Sequence, residues 1–75
     1  MPLEYSEHWK YKKKYRPSIT DDLIEYCIQN SAKLKDKRWP GVYNAIARVP
    51  TGRILKVVYK VKGKAIKILT AYWLY

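Results

Sequence analysis

The stretch from Val42 to Trp73, VYNAIARVPTGRILKVVYKVKGKAIKILTAYW, decides the fold that we expect for this chain. Its residues follow the two-residue period of β-strands, and it is rich in β-branched Val, Ile and Thr. Two turn signals divide it, Pro50-Thr51-Gly52 and Lys62-Gly63. We therefore predict an antiparallel meander of three strands, at about 42–49, 53–61 and 64–73.

The second turn predicts a register for the last two strands. A two-residue loop pairs Leu55 with Thr70 on an apolar face that we expect to seal against the helices. It also places Leu69 and Ala71 together on the opposite face. That opposite face mixes small and apolar residues with lysines: Lys56, Lys60 and Lys67. One face is therefore core, and the other is partly basic and partly apolar.

The first turn leaves two registers open. A three-residue loop pairs Val49 with Arg53, whereas a two-residue loop pairs Pro50 with Arg53. Because side chains alternate along a strand, this choice decides whether Ile46 or Ala47 faces the core.

A helix is predicted to begin after Thr20. Thr20 is a good N-cap residue, and the acidic pair Asp21-Asp22 complements the positive helix end. Ile19 and Ile24 have the spacing of a hydrophobic staple. Cys27 falls inside the apolar stripe of this helix, so we interpret it as a buried small hydrophobe and not as a nucleophile.

A shorter helix is predicted at about 7–15, capped by Ser6 and ended by Pro17. Residues at four-residue steps form a basic stripe on it: His8, Lys12 and Arg16. We expect its packing side to come from aromatic residues: Trp9, Tyr11 and Tyr15.

The predicted architecture is α+β, a single domain over residues 1–75 with two N-terminal helices on one face of a three- to four-stranded antiparallel sheet. A basic connection, 33–41, joins the helices to the meander and ends in Trp39-Pro40-Gly41. A fourth strand exists only if Lys33 to Lys37 supplies a short edge piece.

The charge balance predicts a polyanionic partner. The chain has 16 Lys or Arg against 6 Asp or Glu, a net charge of +10. Nucleic acid is the first candidate and an acidic protein the second. Tyr and Trp between the cations are suited to stacking on bases.

Several other classes are excluded. One cysteine cannot form an internal disulfide or a multi-cysteine metal site, and three scattered glycines do not make a phosphate loop, so we expect no metal and no small-molecule cofactor. The longest apolar run, Ile68 to Tyr75, is eight residues, far below the ~20 that span a bilayer. The first residues carry Glu4 and Glu7 and resemble no signal peptide, so we expect a cytoplasmic protein with no membrane partner.

Three stretches share their order and spacing with a known family: Ser6-Glu7-His8 with Lys12 and Arg16, Ser18-Ile19-Thr20-Asp21-Asp22-Leu23-Ile24, and Gly52-Arg53-Ile54-Leu55-Lys56-Val57-Val58-Tyr59 followed by Ile66-Lys67-Ile68-Leu69-Thr70-Ala71-Tyr72. Together they resemble a family of small domains of unknown function that is grouped with the RelE, BrnT, barnase and colicin ribonuclease toxins. The sequence departs from the family pattern at Lys12, where an arginine is usual, and at Pro17-Ser18, which adds a residue.

The resemblance implies a RelE-like domain that acts as an endoribonuclease, an mRNA interferase. Its expected partners are RNA or the ribosome and an acidic antitoxin that neutralises it. Such toxins can act with Lys, Arg and Tyr side chains alone, and the candidates here are Arg48, Arg53, Lys56 and Tyr72. We expect Arg48, Arg53 and Tyr72 to cluster at one sheet edge and clamp a phosphate. The single histidine, His8, is a further candidate for proton transfer near neutral pH.

Other cations are expected to contact the nucleic-acid backbone: Lys12, Arg16, Lys35, Lys37, Arg38, Lys60 and Lys67. Two alternatives stay open. Instead of being a ribonuclease, the chain could be a non-catalytic nucleic-acid-binding module of the same fold, or an interaction subunit that docks an acidic partner.

Overall fold

Five strands and two short helices build an α+β fold in the computed structural model, which describes residues 3–31, 33–35 and 38–74. The elements in chain order are β1 (Leu3–Tyr5), α1 (Glu7–Lys12), a 3-10 turn (Lys13–Tyr15), α2 (Asp21–Asn30), β2 (Lys33–Lys35), β3 (Val42–Arg48), β4 (Ile54–Lys62) and β5 (Ala65–Trp73). The sheet order is β1-β5-β4-β3-β2. The predicted α+β class and the three-strand meander are confirmed.

The sheet is mixed and five-stranded, so the prediction of a purely antiparallel sheet with three to four strands is wrong. The first strand, β1, pairs in parallel with β5, with Leu3 opposite Ile66 and Tyr5 opposite Ile68. A three-residue strand carries almost no periodic signal, and its partner lies some sixty residues away, so local sequence could not reveal it. The edge piece considered at Lys33 exists as β2, while residues 36 and 37 lie outside the described part.

A β-bulge in β5 changes the predicted register. The turn is Gly63-Lys64, one residue later than predicted. Each residue of β4 is therefore paired two residues further along β5, for example Tyr59 with Ile68 and not with Ile66. A shift of two residues leaves every side chain as far as this pair on its predicted face. The register then slips, and Val57 lies opposite Ala71. Ala71 is therefore in the core at 0% exposure, whereas the prediction placed Thr70 there and Ala71 outside. The extra residue of a bulge turns the following side chains to the other face.

The first hairpin adopts the three-residue loop. The Val49 N–H donates to the Arg53 carbonyl at 2.9 Å, and the loop closes with Gly52 at a φ of +94°. Ala47 consequently points toward the helices, and Ile46 points away with 38% exposure.

The first helix is shorter than predicted and buries only its tryptophan. It gives way to the 3-10 turn after Lys12, and Ser6 caps it by accepting from the Trp9 N–H at 3.1 Å. Trp9 is buried, but Tyr11 and Tyr15 are 57% and 69% exposed, so the tyrosines were wrongly assigned to the packing side. Residues two apart on a helix differ by about 200°, so Trp9 and Tyr11 cannot both face the sheet.

The second helix behaves as predicted. Thr20 Oγ1 accepts from the Leu23 N–H at 3.2 Å, and Ile19 and Ile24 are both buried. Cys27 is buried against the sheet, and its Sγ lies 3.4 Å from the carbonyl oxygens of Ala45 and Leu55 on two neighbouring strands.

Both helices cover the same face of the sheet, which we call the helix-side face. Its core comprises Trp9, Ile19, Ile24, Cys27, Ala45, Val49, Leu55, Val57, Tyr59, Ile66, Ile68 and Ala71. The opposite face of β3, β4 and β5, which we call the outer face, carries no helix among the described residues.

The bulge is tested by lysine substitutions at Leu69 and Ala71, which a regular strand would place on the same face. We expect Ala71→Lys to lower the free energy of unfolding by about 3 kcal/mol or more, because it buries a charge in the core. Leu69→Lys should stay within about 1 kcal/mol of the wild type, because its side chain lies on the outer face. Urea denaturation followed by circular dichroism measures both, and equal losses would contradict the bulged register.

Candidate nucleic-acid interface

The outer face concentrates positive charge. Its strand positions include five cations, Arg48, Lys56, Lys60, Lys62 and Lys67. The one acid at a described strand position of this face is Glu4 of β1, which lies opposite Lys67. The other described acids, Glu7, Asp21, Asp22 and Glu25, all belong to the two helices. The outer face therefore has four more cations than acids at its strand positions, whereas the cations of the helix layer are mixed with four acids.

Lys56 and Tyr72 form a cross-strand pair on the outer face. They lie opposite each other on β4 and β5, and the Lys56 Nζ is 5.6 Å from the centre of the Tyr72 ring. Ile46 lies on the other side of Lys56, and Arg48 follows it on the same face of β3. Three of the predicted catalytic residues, Arg48, Lys56 and Tyr72, thus share one face.

Lys60 and Lys67 lie directly opposite each other. Like charges in such positions destabilise a sheet, so this pair favours an anion bound between its ammonium groups. Glu4 is the next residue in the same row, but neither lysine forms an ion pair with any described residue.

An apolar cleft of about 450 Å³ opens beside this lysine pair. The turn before β3 forms one wall, held by a hydrogen bond from the Val42 N–H to the Trp39 carbonyl at 3.2 Å, and Trp39 is 65% exposed. The residues that line the cleft are Trp39, Pro40, Val42, Val58, Lys60 and Leu69. Among these, the sequence prediction included only Lys60 as a site residue. The signal that was available is Trp39-Pro40-Gly41, a turn that presents a large aromatic residue at a strand entrance.

Arg53 does not join the predicted cluster with Arg48 and Tyr72. Its guanidinium lies 4.1 Å from the centre of the Trp73 ring, and Trp73 in turn donates from Nε1 to Ser18 Oγ at 2.9 Å. The expected contact between Arg53 and Tyr72 is therefore wrong. Arg53 lies on the helix side with Val49 and Leu55. The three-residue loop turns Arg48 to the outer face, and the bulge in β5 turns Tyr72 to the same face.

The predicted basic stripe on the first helix is interrupted. His8 is exposed on α1, in the helix layer, so the sheet separates it from Lys56 on the outer face. Arg16 lies beyond the 3-10 turn, and its Nη1 donates to the Ala71 carbonyl at 3.2 Å and lies 3.5 Å from Thr70 Oγ1. Arg16 therefore supports the edge of β5, while Lys12 is half-buried at the end of α1.

The predicted cations before β3 are also divided. Lys35 lies opposite Tyr43, on the helix-side face of the edge strand β2. Arg38 is exposed and precedes Trp39 in the chain, and Lys37 lies outside the described residues.

Cys27 is unsuited to nucleophilic chemistry. Burial raises the pKa of its thiol to about 11, so the thiol is protonated at neutral pH. The described residues contain no group of three or more His, Cys, Asp or Glu side chains that could hold a metal ion. Among them there is also no helix long and apolar enough to cross a membrane.

No family model, no curated protein and no solved structure matches this chain.

The Cys27 thiol gives a pH-dependent contribution to stability. Its pKa is about 11 in the folded chain and about 8.5 in an unfolded one, so the unfolded state loses this proton first as the pH rises. The contribution is complete below about pH 8.5 and disappears toward pH 11. We expect stability to fall less steeply over this range in Cys27→Ala than in the wild type, as measured by urea denaturation at several pH values. Equal slopes would contradict the raised pKa.

Proposed function

We propose that this chain binds nucleic acid through the outer face of its sheet. The observation that carries the proposal is the charge balance of the outer face, which has five cations and one acid at its strand positions and is covered by no described helix. Phosphate backbones are the polyanions that such a surface attracts most strongly, because each contact also releases condensed counterions. The helix layer also carries lysines, but two of them, Lys10 and Lys13, are paired with the acids Glu7 and Asp21.

The apolar and aromatic side chains between the cations support nucleic acid over an acidic protein. Tyr72 and Trp39 offer ring surface on the side of the sheet that carries Lys56 and Lys60. Proteins that bind nucleic acid without a fixed sequence combine cations for the backbone with rings for the bases. Arg48 and Lys62 extend the cationic surface toward opposite ends of β3 and β4.

The proposal predicts that charge matters by position and not only by amount. We expect the triple variant Lys56→Gln, Lys60→Gln, Lys67→Gln to weaken binding to a labelled RNA oligonucleotide. For a single strand, each phosphate contact contributes about 0.7 to the magnitude of the slope of log K against log[salt]. The loss of three contacts should therefore reduce the magnitude of this slope by about 2. Fluorescence anisotropy at several salt concentrations measures both quantities.

The matched control removes the same charge from the helix layer. This control is the triple variant Lys10→Gln, Lys13→Gln, Lys14→Gln, which changes exposed residues of α1 and the 3-10 turn. Lys10 pairs with Glu7, and Lys13 pairs with Asp21. Its salt slope should stay close to that of the wild type. If both triples lose affinity equally, net charge and not the outer face governs binding. If a polyglutamate peptide competes as well as RNA, the partner is an acidic protein.

A second candidate function is RNA cleavage, as the resemblance to RelE-like toxins suggests. It is supported by the pairing of Lys56 with Tyr72 and by Arg48 on the same face. In such a reaction a base takes the proton of the 2′-hydroxyl, the 2′-oxygen bonds to phosphorus, and the bond from phosphorus to the 5′-oxygen breaks as an acid protonates that oxygen. A cation must also stabilise the crowded phosphate. The RelE-like relationship itself is supported by two helices on one face of the antiparallel strands β3 to β5. A toxin of this kind works in the cytoplasm, and an acidic antitoxin would cover the outer face.

Cleavage is tested by incubating the purified protein with messenger RNA, with and without ribosomes. We expect Lys56→Ala and Tyr72→Phe each to reduce the cleavage rate at least about tenfold, as is usual for a group that stabilises charge or transfers a proton. Lys14→Ala and Tyr11→Phe, exposed residues of the helix layer, are the matched controls and should cleave at the wild-type rate. Intact message in every reaction rejects the enzyme while leaving nucleic-acid binding in place.

A further inference from the structure

We infer that the cleft beside Trp39 takes one unstacked base of a single-stranded nucleic acid, with an adjacent phosphate between Lys60 and Lys67. This inference rests on the proposed nucleic-acid binding and adds to it a substrate class and a base site. It is carried by the juxtaposition of an apolar cleft with a pair of directly opposed lysines.

The cleft has the chemistry of a site for a flat, weakly polar ring. Trp39 and Pro40 come from the turn before β3, and Val42, Val58 and Leu69 line the cleft from β3, β4 and β5. A volume of about 450 Å³ falls within the range of about 300–1,000 Å³ that is usual for small-ligand sites. A nucleobase can stack on the exposed indole and bury its second face against aliphatic side chains.

The anion site is continuous with the cleft. Lys60 lines the cleft and also lies directly opposite Lys67, so a single anion at its rim can meet both ammonium groups. A phosphate there would relieve the repulsion between the two lysines, which is a cost that the free protein carries. Base and phosphate are joined in one nucleotide, so the two halves of the site suit one ligand.

The apolar lining of the cleft selects for single strands, because it contacts the ring of a base and not the backbone. In a duplex the bases are paired and stacked, so only the phosphates and groove edges can reach a protein surface. An unpaired strand can splay a base out and insert it. Lys60 and Lys67 alone would bind the phosphates of a duplex or of a single strand. The cleft adds affinity only for the single strand, whose bases are free.

The experiment compares three probes of about 10 nucleotides: single-stranded oligouridylate, the same length of RNA duplex, and an abasic strand with the same phosphates. Binding is measured by anisotropy for the wild type, Trp39→Ala, Leu69→Ser and the control Tyr11→Ala, an exposed aromatic of α1. Circular dichroism checks that each variant is folded. Two cleft variants are used so that the result does not depend on one substitution.

We expect the wild type to bind oligouridylate more tightly than the duplex or the abasic strand. Trp39→Ala and Leu69→Ser should lower affinity for oligouridylate, by about tenfold for the lost stacking contact, and leave the abasic strand unchanged. Tyr11→Ala should leave all three affinities unchanged.

The outcomes separate this inference from the proposed function. Equal affinity for all three probes overturns the base site but leaves phosphate binding intact. An equal loss on oligouridylate and the abasic strand in the cleft variants also overturns it, because the cleft then acts only through the backbone. No binding to any probe at low salt rejects both.

Discussion

The pairing of β4 with β5 is the constraint on which the rest of the molecule depends. Each residue of β4 that points toward the helices is followed by one that points away, so Val57 in the core is flanked by Lys56 and Val58 outside it. A slip of one residue would exchange the two sets, burying lysines and exposing the core. Burial of one face by Trp9, Ile24 and Cys27 therefore fixes the cationic face as well, and fold and candidate interface are two consequences of one register.

Ser6 connects this register to the helices. Its backbone N–H donates to the Ile68 carbonyl and its Oγ donates to the Leu69 carbonyl, both at 2.9 Å, while the same Oγ caps α1 by accepting from Trp9. The contact falls at the bulge, where β5 changes its pairing with β4. The bulge brings Ala71 into the core, and a small side chain there fits beneath the helix layer. Arg16 then holds the open edge of β5 by donating to the Ala71 carbonyl.

The candidate interface was foreseeable only where strand alternation sufficed. Strand alternation correctly predicts that Lys56, Lys60 and Lys67 share one face. The prediction survives the later turn because a shift of two residues in pairing preserves the faces. Arg53 and Tyr72 are predicted to lie together, but the bulge in β5 puts them on opposite faces. Trp39 was missed because its role comes from the cleft that its turn forms with β4 and β5, which no local pattern describes.

The sequence by itself determined the meander, the second helix with its Thr20 cap, the burial of Cys27 and the excess of positive charge. These follow from local periodicity, capping chemistry and composition, each of which acts over a few residues. Only the tertiary structure decided that Leu3–Tyr5 joins the sheet in parallel, that β5 carries a bulge and that Trp39 stands over a cleft. Each of these depends on a partner far away in the chain, and the free energy of such a contact is set by packing and not by the residues on either side.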